Sequence, residues 1–483
     1  LTSIKSVALS GIKWTFGSQI LLQLVDLIVT AILSRLLAPD DFGLFAVVFT
    51  TLNLFNSLKN MGFGSALIHK KKPSPLAITS LFWLTAGIGL VFSLTLYISS
   101  GYIGTFFNKE SLPYLLRLVS VVYLIQGVSS IPSTLIQKEL QFRAIFKMNT
   151  ISMVLSNGVA IFAAYQGYGV LALAFKMITS SLVGLGLSWY VSRYKLSFAF
   201  NWSVLKPFFS FGWPIFLDGI LGYGLRNLDN ILIGKYFNAS TLGYYNKSYQ
   251  LMVLPMSNIT KVLSRVMFPT LSKVNDDAIL KRTYLKSISL VSAITFPAMF
   301  GLSVLAEEAI MIVYGDQWRP AIPYLQILCI TGAFQPMASL AGNYYLIKGK
   351  TFLSLKVSVL SRLFMIGSII LGLQYGPLGI AISYTISSLI AFMPELYFTS
   401  RLVGLHFFEP IKAFSLNLLI TLVMVSTVFV IKNHTIDLGD QLLIRSLSLP
   451  LIGIFTYLTL SFLFNKKIWK EYVSIFKSIS HGQ

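Results

Sequence analysis

The residues of this sequence able to do chemistry are charged and amide side chains set at helical spacing within apolar runs. Gln19, Gln23, Asp26 and Thr30 recur at i, i+4, i+7 and i+11, which places them within about 60° of one another on a helix. Asn53, Asn56, Ser57 and Asn60 form a second stripe. Asp218, Arg226 and Asp229 fall within about 80°. Lys247, Gln250, Asn258 and Lys261 share a fourth face. An ionisable group at mid-bilayer costs about 2.5–3.5 kcal/mol on the insertion scale, so it should face water or a partner. These groups offer fixed charge and hydrogen bonding in a low dielectric. Lys247 and Arg226, with Asn53, Asn56 and Gln250, are the candidates for binding a substrate in a water-filled cavity. Asp26, Asp218 and Asp229 are the candidates for binding a coupling ion, proton or sodium. The competing reading is that the stripes are hydrogen-bonding glue between helices.

Lys247 stands out among the cations. Arg226 has Asp229 three residues on, where the two can pair along one helix face. The i±3 and i±4 neighbours of Lys247 are Gly243, Tyr244, Gln250 and Leu251, and none is acidic. Its charge therefore calls for water or for an acid from another helix, with Asp26 and Asp229 as the structural partners to expect. Arg117, Lys176, Arg362, Arg445 and Glu395 also fall within apolar segments. For each of these a structural role is favoured, since long side chains near span ends reach back to water.

Catalytic chemistry is not expected. No Gly-rich loop ends in Gly-Lys-Ser/Thr, so no ATP-driven motor is predicted, and no Ser/His/Asp or Cys/His arrangement is apparent. The single cysteine, Cys329, excludes an internal disulfide and a thiolate metal site, and the four histidines lack metal-ligand spacing. No cofactor and no metal are expected, and energy should come from an ion gradient or a substrate gradient.

The elements that must carry these stripes are membrane-spanning helices. The chain has 483 residues, 55% of them hydrophobic and 11% charged, with a mean hydropathy of +0.73. A soluble domain has about 25% charged residues and could not cover so apolar a surface. The net charge of +21 does not point to nucleic acid, because the cations lie between apolar runs and form no continuous basic face. Roughly fourteen segments reach the length of about 20 apolar residues that a bilayer crossing needs. The first begins near Gly11 and the last near Leu442, and those near Phe42, Phe208 and Thr241 are the most polar. The first is read as a retained span, because Gln and Asp interrupt it. With both termini inside, the inner stretches carry about 27 Lys/Arg and the outer about 5. Asp40-Asp41, Glu307-Glu308, Asp437 and Asp440 then fall outside. The tail 466–483 places Ile468, Trp469, Tyr472, Val473 and Phe476 at helical spacing among lysines. It reads as an amphipathic helix on the inner leaflet, with a disordered basic tail as the alternative.

An internal repeat divides the spans. Arg35-Leu-Leu-Ala-Pro-Asp-Asp-Phe-Gly-Leu-Phe aligns with Lys235-Tyr-Phe-Asn-Ala-Ser-Thr-Leu-Gly-Tyr-Tyr. Phe16-Gly17 echoes Phe211-Gly212, and Gly169-Val-Leu-Ala echoes Gly379-Ile-Ala-Ile. The predicted fold is an all-α integral membrane protein with an N-terminal lobe of spans 1–6 (residues 1–200) and a C-terminal lobe of spans 7–12 (201–402). An extra pair of spans (403–465) and the tail follow. The lobes would be related by an axis along the membrane normal. Transporters of this kind hold substrate between repeats, and the four polar faces would line that cavity.

Several motifs carry a family resemblance. Lys13-Trp-Thr-Phe-Gly-Ser-Gln, Leu33-Ser-Arg-Leu-Leu-Ala-Pro-Asp-Asp-Phe-Gly, Gly62-Phe-Gly-Ser-Ala-Leu-Ile, Asp229-Asn-Ile-Leu-Ile-Gly and Leu242-Gly-Tyr-Tyr-Asn resemble the polysaccharide (O-antigen type) flippases. These belong to the multidrug/oligosaccharidyl-lipid/polysaccharide exporter superfamily, and the nearest likeness is to colanic-acid and lipopolysaccharide-repeat exporters. The resemblance spans most of the chain. It implies two six-helix lobes around a cationic cavity, with alternating access. It also implies a polyprenyl-diphosphate-linked oligosaccharide as cargo, the bacterial inner membrane as location, and a polysaccharide polymerase or export machinery as a partner. Arg226 and Lys247 represent the cationic lumen by position and type. The alternatives are a drug antiporter or a lipid II flippase of the same superfamily. A glycan polymerase or ligase is the rival from another class, and the short outer loops argue against it.

Overall fold

The computed structural model describes residues 21–59, 63–70, 73–206, 208, 227–271, 276–434, 442–465 and 469. Among these every regular element is a helix. The chain forms two compact units, Leu1–Gly243 and Tyr244–Gln483.

The first unit begins with helical residues 21–36 (α1), then Pro39–Lys59 (α2), Phe63–His69 (α3) and Pro75–Phe107 (α4). Leu112–Lys138 (α5), Phe142–Tyr165 (α6), Leu171–Ser192 (α7) and Leu228–Tyr236 (α8) follow. Helix α9 (Ala239–Leu271) starts in this unit and continues into the second. The second unit then holds Asp277–Val304 (α10), Ala306–Val313 (α11), Ile322–Ile347 (α12), Thr351–Gly372 (α13) and Gly376–Leu402 (α14). It ends with Phe408–His434 (α15) and Leu442–Phe464 (α16).

Local chemistry sets the helix ends. Ser74 caps α4 by accepting the Ala77 N–H at 3.2 Å, with Pro75 in the first turn, and Asn108 stops the helix in the left-handed region. Asp276 caps α10 by accepting the Ala278 N–H at 2.8 Å.

Nine helical stretches among the described residues are long and apolar enough to cross a membrane, and one of them, Phe352–Leu402, contains both α13 and α14. Ile98, Tyr190 and Phe455 are among many large apolar side chains left on the outside, which suits lipid as the surrounding solvent. The protein is therefore an all-α, multi-pass membrane protein. Helices α2 and α9, which carry the segments predicted to be most polar, form but are not among the nine. The first and seventh of the fourteen predicted spans begin outside the described residues, as does the 466–483 tail helix apart from Trp469.

Packing within the units repeats. In the first, α4 pairs with α5, α6 with α7, and α5 with α7. In the second, α10 pairs with α12, α13 with α14, and α12 with α14. These are the same pairings for the third to sixth spans of each sequence repeat. Helices α4 and α5 touch backbone to backbone, since a Cβ on Gly89 would meet the Tyr123 carbonyl oxygen at 2.6 Å. The extra pair is tied to α10 by polar contacts. The Asn417 amide donates to Ser289 O at 2.9 Å and Ser292 Oγ at 2.8 Å, Asn465 donates to Asn417 at 3.0 Å, and Tyr457 donates to Ala293 O at 2.8 Å.

Candidate functional site

The repeated loop motif forms a reciprocal crossing within the first unit. Helices α2 and α9 start at Pro39 and Ala239, equivalent positions of the repeat. A Cβ on Gly43 would lie 1.7 Å from the Ala239 carbonyl oxygen, and one on Gly243 would lie 2.3 Å from the Pro39 carbonyl oxygen. Only glycine permits both approaches. The Asp40 carboxylate accepts the Ser240 N–H and the Ser240 hydroxyl, each at 2.9 Å. Beside it, Asp41 accepts the Ala38 N–H at 3.0 Å and lies against Gly169, where a Cβ would be 3.1 Å from its carboxylate. Gly169 has φ +55°, a second reason for glycine there. The end of α8 is fastened to the end of α4: Lys109, just past α4, donates to Phe237 O at 3.3 Å, and Lys235, in the last turn of α8, donates to Phe106 O while lying over the Phe106 ring. The sequence marks Asp40 and Asp41 only as outer acids; the signal that could have given them this role is the repeat itself.

The candidate residues of the first unit are placed as follows. Asp26 on α1 pairs with Lys176 on α7 at 3.1 Å and is half exposed. Asn53 on α2 is half-buried, and the side chain of Asn56 lies outside the described residues. Asp229 is buried at the start of α8, where its carboxylate accepts the Asn230 N–H at 2.8 Å. Asp218 and Arg226 lie outside the described residues, so the stripe of the predicted seventh span is represented by Asp229 alone.

In the second unit, Lys247 on α9 is 4% exposed. Its ammonium lies 5.4 Å from the centre of the Tyr314 ring, and the Tyr314 hydroxyl donates to the Lys247 carbonyl at 3.4 Å. The sequence reading calls for water or an acid from another helix around this ammonium; the structure buries it and sets beside it an aromatic face that attracts cations. Gln250, one turn on, is exposed and donates to Asn246 at 2.7 Å. The side chains of Asn258 and Lys261 lie outside the described residues.

Sequence reasoning missed a charged cluster at the ends of α11, α15 and α16. Glu308 is 3% exposed. It pairs with Lys432 at 2.8 Å and Arg445 at 3.7 Å, and Lys432 also reaches Glu307 at 3.6 Å. An apolar groove of about 620 Å³ leads away from Glu308 between α10, α11, α15 and α16, with Pro297, Leu305, Met424, Pro450 and Tyr457 among its walls. Its size is that of a small-molecule site, but its walls offer little besides hydrocarbon.

With this geometry in view, the sequence pattern of polysaccharide biosynthesis proteins matches residues 32–323. The chain belongs to the polysaccharide biosynthesis protein family. The pattern of the lipid II flippase MurJ also matches residues 221–444. Among its relatives, the chain is 26% identical to the lipopolysaccharide biosynthesis protein WzxC of Escherichia coli (strain K12), over 80% of each chain. It is 28% identical to the teichuronic acid biosynthesis protein TuaB of Bacillus subtilis (strain 168), over 73% of this chain and 74% of that one. A solved structure of the lipid II flippase MurJ in an inward closed conformation superimposes with a TM-score of 0.78 at 18% identity, covering 95% of this chain and 99% of that one. The family resemblance drawn from the motifs is thus borne out, as is the all-α membrane fold.

Proposed function

We propose that this protein flips a polyprenyl-diphosphate-linked oligosaccharide repeat unit from the cytoplasmic to the outer face of the bacterial inner membrane. The observation that carries the reading is that a member of the polysaccharide biosynthesis family has, over 95% of its length, the fold of a lipid II flippase. Such a cargo has three parts of different chemistry. The prenyl chain calls for hydrocarbon, and the groove between α10, α11, α15 and α16 offers it. The diphosphate calls for positive charge in a low dielectric; the buried Lys247 is suited to it, and Arg226 would join it. The sugars call for amides, and Asn53, Asn56 and Gln250 are assigned to them.

Transport proceeds by alternating access. In the orientation with both termini cytoplasmic, the crossing of Pro39–Gly43 with Ala239–Gly243 lies on the outer side and serves as a gate. The closeness of Gly43 and Gly243 to the opposing backbone supports that role. A proton or sodium gradient drives the cycle. Among the ion-coupling candidates, Asp26 has a salt-bridge partner in Lys176, and Asp218 and Asp229 belong to the predicted seventh span. The protein does no covalent chemistry on the glycan and hands it to a polymerase and export machinery.

Deleting the gene in a host without a paralogue should stop production of the surface or secreted polysaccharide, with lipid-linked repeat units building up on the cytoplasmic leaflet. Normal polysaccharide output from the deletion strain would refute the reading. The match of the MurJ pattern to residues 221–444 favours lipid II as a second cargo. Expression in cells depleted of their own lipid II flippase separates the two: growth rescue supports the second reading, and no rescue leaves the first.

A further inference from the structure

A polar cluster in the second unit has no part in the gate, the groove or the Lys247 site. Its side chains come from α10, α12 and α14. Glu395 and Thr399 lie one turn apart on α14, Tyr344 and Tyr345 are in the last turn of α12, and Tyr284 is in the second turn of α10. Tyr284, Tyr344, Tyr345 and Thr399 are each at most 1% exposed. The rings of Tyr284 and Tyr344 meet edge to face at 4.8 Å. The Tyr345 hydroxyl lies beside both the Glu395 carboxyl and Thr399, and Tyr284 lies beside Thr399.

Two observations show that this cluster does more than pack. The hydroxyls of Tyr344, Tyr345 and Thr399 are all buried without a hydrogen-bond partner, although buried polar groups are nearly always satisfied. The carboxyl at the centre has no cation beside it among the described residues. On its own helix Arg401 is turned to the Tyr397 ring. Lys356 on α13 lies over Phe352, and Lys348, at the end of α12, is held by Asp277 at 2.5 Å. Tyr284, Tyr344 and Tyr345 are the titratable groups of the cluster on α10 and α12. Glu395 thus sits within a span beside the Tyr345 hydroxyl, with no cation among the described residues to balance a carboxylate charge in a low dielectric. Pro394 precedes it and removes one backbone N–H from the α14 ladder, leaving the Ile390 carbonyl without its helical donor and α14 able to bend beside the acid.

We propose that Glu395 is the coupling-proton site of the transport cycle, an assignment that rests on the transporter reading above. In one state of the cycle the Glu395 carboxylate takes a proton from water, forming a carboxyl O–H. The neutral acid then hydrogen-bonds to the Tyr345 hydroxyl while the cluster is packed. When α14 bends at Pro394 and water reaches the acid again, the O–H bond breaks and the proton returns to water on the other side. The hydroxyls of Tyr345 and Thr399 position the acid and relay its hydrogen bonds. A sodium ion is disfavoured, because it would find a single charged oxygen among hydroxyls, with most carbonyls of the three helices committed to helical bonds.

The test uses the full-length protein purified and reconstituted in lipid vesicles. Infrared difference spectra taken across a pH titration should contain a protonated-carboxyl band that vanishes in Glu395→Gln and shifts its midpoint in Tyr345→Phe. Loss of the band in wild type, or its persistence unchanged in Glu395→Gln, overturns the proposal. In cells, Glu395→Gln at normal membrane abundance should lower export by roughly tenfold, a size typical of coupling between sites, and abolish its dependence on external pH. Wild-type export and pH dependence in Glu395→Gln, or wild-type export that follows sodium and ignores pH, would also overturn it. If wild-type protein moves no lipid-linked glycan at all, the transporter reading fails, while the infrared result still decides whether Glu395 binds the proton.

Discussion

Asp40 accepts both the backbone N–H and the hydroxyl of Ser240, its counterpart in the second copy of the repeat, at 2.9 Å each. The contact joins two equivalent helix starts, and Gly43 and Gly243 on either side bring the two backbones together. A duplicated motif has become its own binding partner. Each copy supplies the carbonyl oxygen that the other copy's glycine makes room for.

Gly43→Ala should prevent the crossing from forming, because its methyl group would sit 1.7 Å from the Ala239 carbonyl oxygen. Asp40→Ala, which removes two hydrogen bonds to a carboxylate at an exposed position, should weaken the crossing by about 1 kcal/mol. The measurement is the reactivity of a cysteine introduced by Ser240→Cys, in a Cys329→Ser background, toward an impermeant reagent. Reactivity should rise strongly with Gly43→Ala. Unchanged labelling and export in that variant would show that the crossing is not a gate.

Lys247→Ala should reach the membrane at normal abundance yet lose export by roughly tenfold or more, matching the loss of a charged contact worth about 1.5–3 kcal/mol. Lys247→Arg should keep part of the activity, since the charge remains but the ammonium's fit over Tyr314 does not. Reduced abundance of Lys247→Ala, restored by neutralising an acid elsewhere, would instead mark the lysine as structural.

Glu308 and Lys432 form a buried pair, with side chains 4% and 14% exposed. Lys432→Met should destabilise the protein by about 3–5 kcal/mol, because it leaves a buried carboxylate without its nearest cation. The double variant Lys432→Met with Glu308→Gln should recover much of that loss. Thermal unfolding of the purified protein in detergent checks both, and a single variant as stable as wild type would contradict the pair's energetic role.

Orientation is open to direct labelling. The charge asymmetry of the sequence puts the Leu271 to Lys286 stretch inside and the Asp437 to Asp440 stretch outside. In a Cys329→Ser background, Thr435→Cys should react with an impermeant reagent on intact cells and Ser272→Cys should not. The reverse pattern would invert the topology and move the proposed gate to the cytoplasmic side.

What the sequence makes legible here is whatever repeats locally or periodically. Apolar length gives the helices, and the Arg35 and Lys235 motifs give the duplication; the helix pairings recur in the two units. The partners of the charged residues are a different matter. Lys176 finds Asp26 across 150 residues, and Lys432 finds Glu308 across 124. Which acid meets which base depends on the rotation and stagger of helices packed far apart in sequence, and helical spacing within one segment does not encode that. For the same reason Lys247 and Gln250, on one predicted face, part company: neighbouring elements bury the first and leave the second exposed. Glu395 reads from sequence as one buried charge among several, because the tyrosines of its cluster come from two other helices.

The amide of Asn417 has a consequence for biogenesis. It reaches back to Ser289 and Ser292 on α10, and α15 is synthesised long after α10 has left the ribosome. Hydrophobicity does not draw helices together once they are in lipid, so this polar latch is what can recruit the last pair to the rest of the bundle. Until it closes, the Asn417 amide has no partner on α10, while Ser292 stays bonded to the Ser289 carbonyl of its own helix. An undocked last pair therefore leaves a polar amide facing lipid, a cost that drives docking before any cargo is handled.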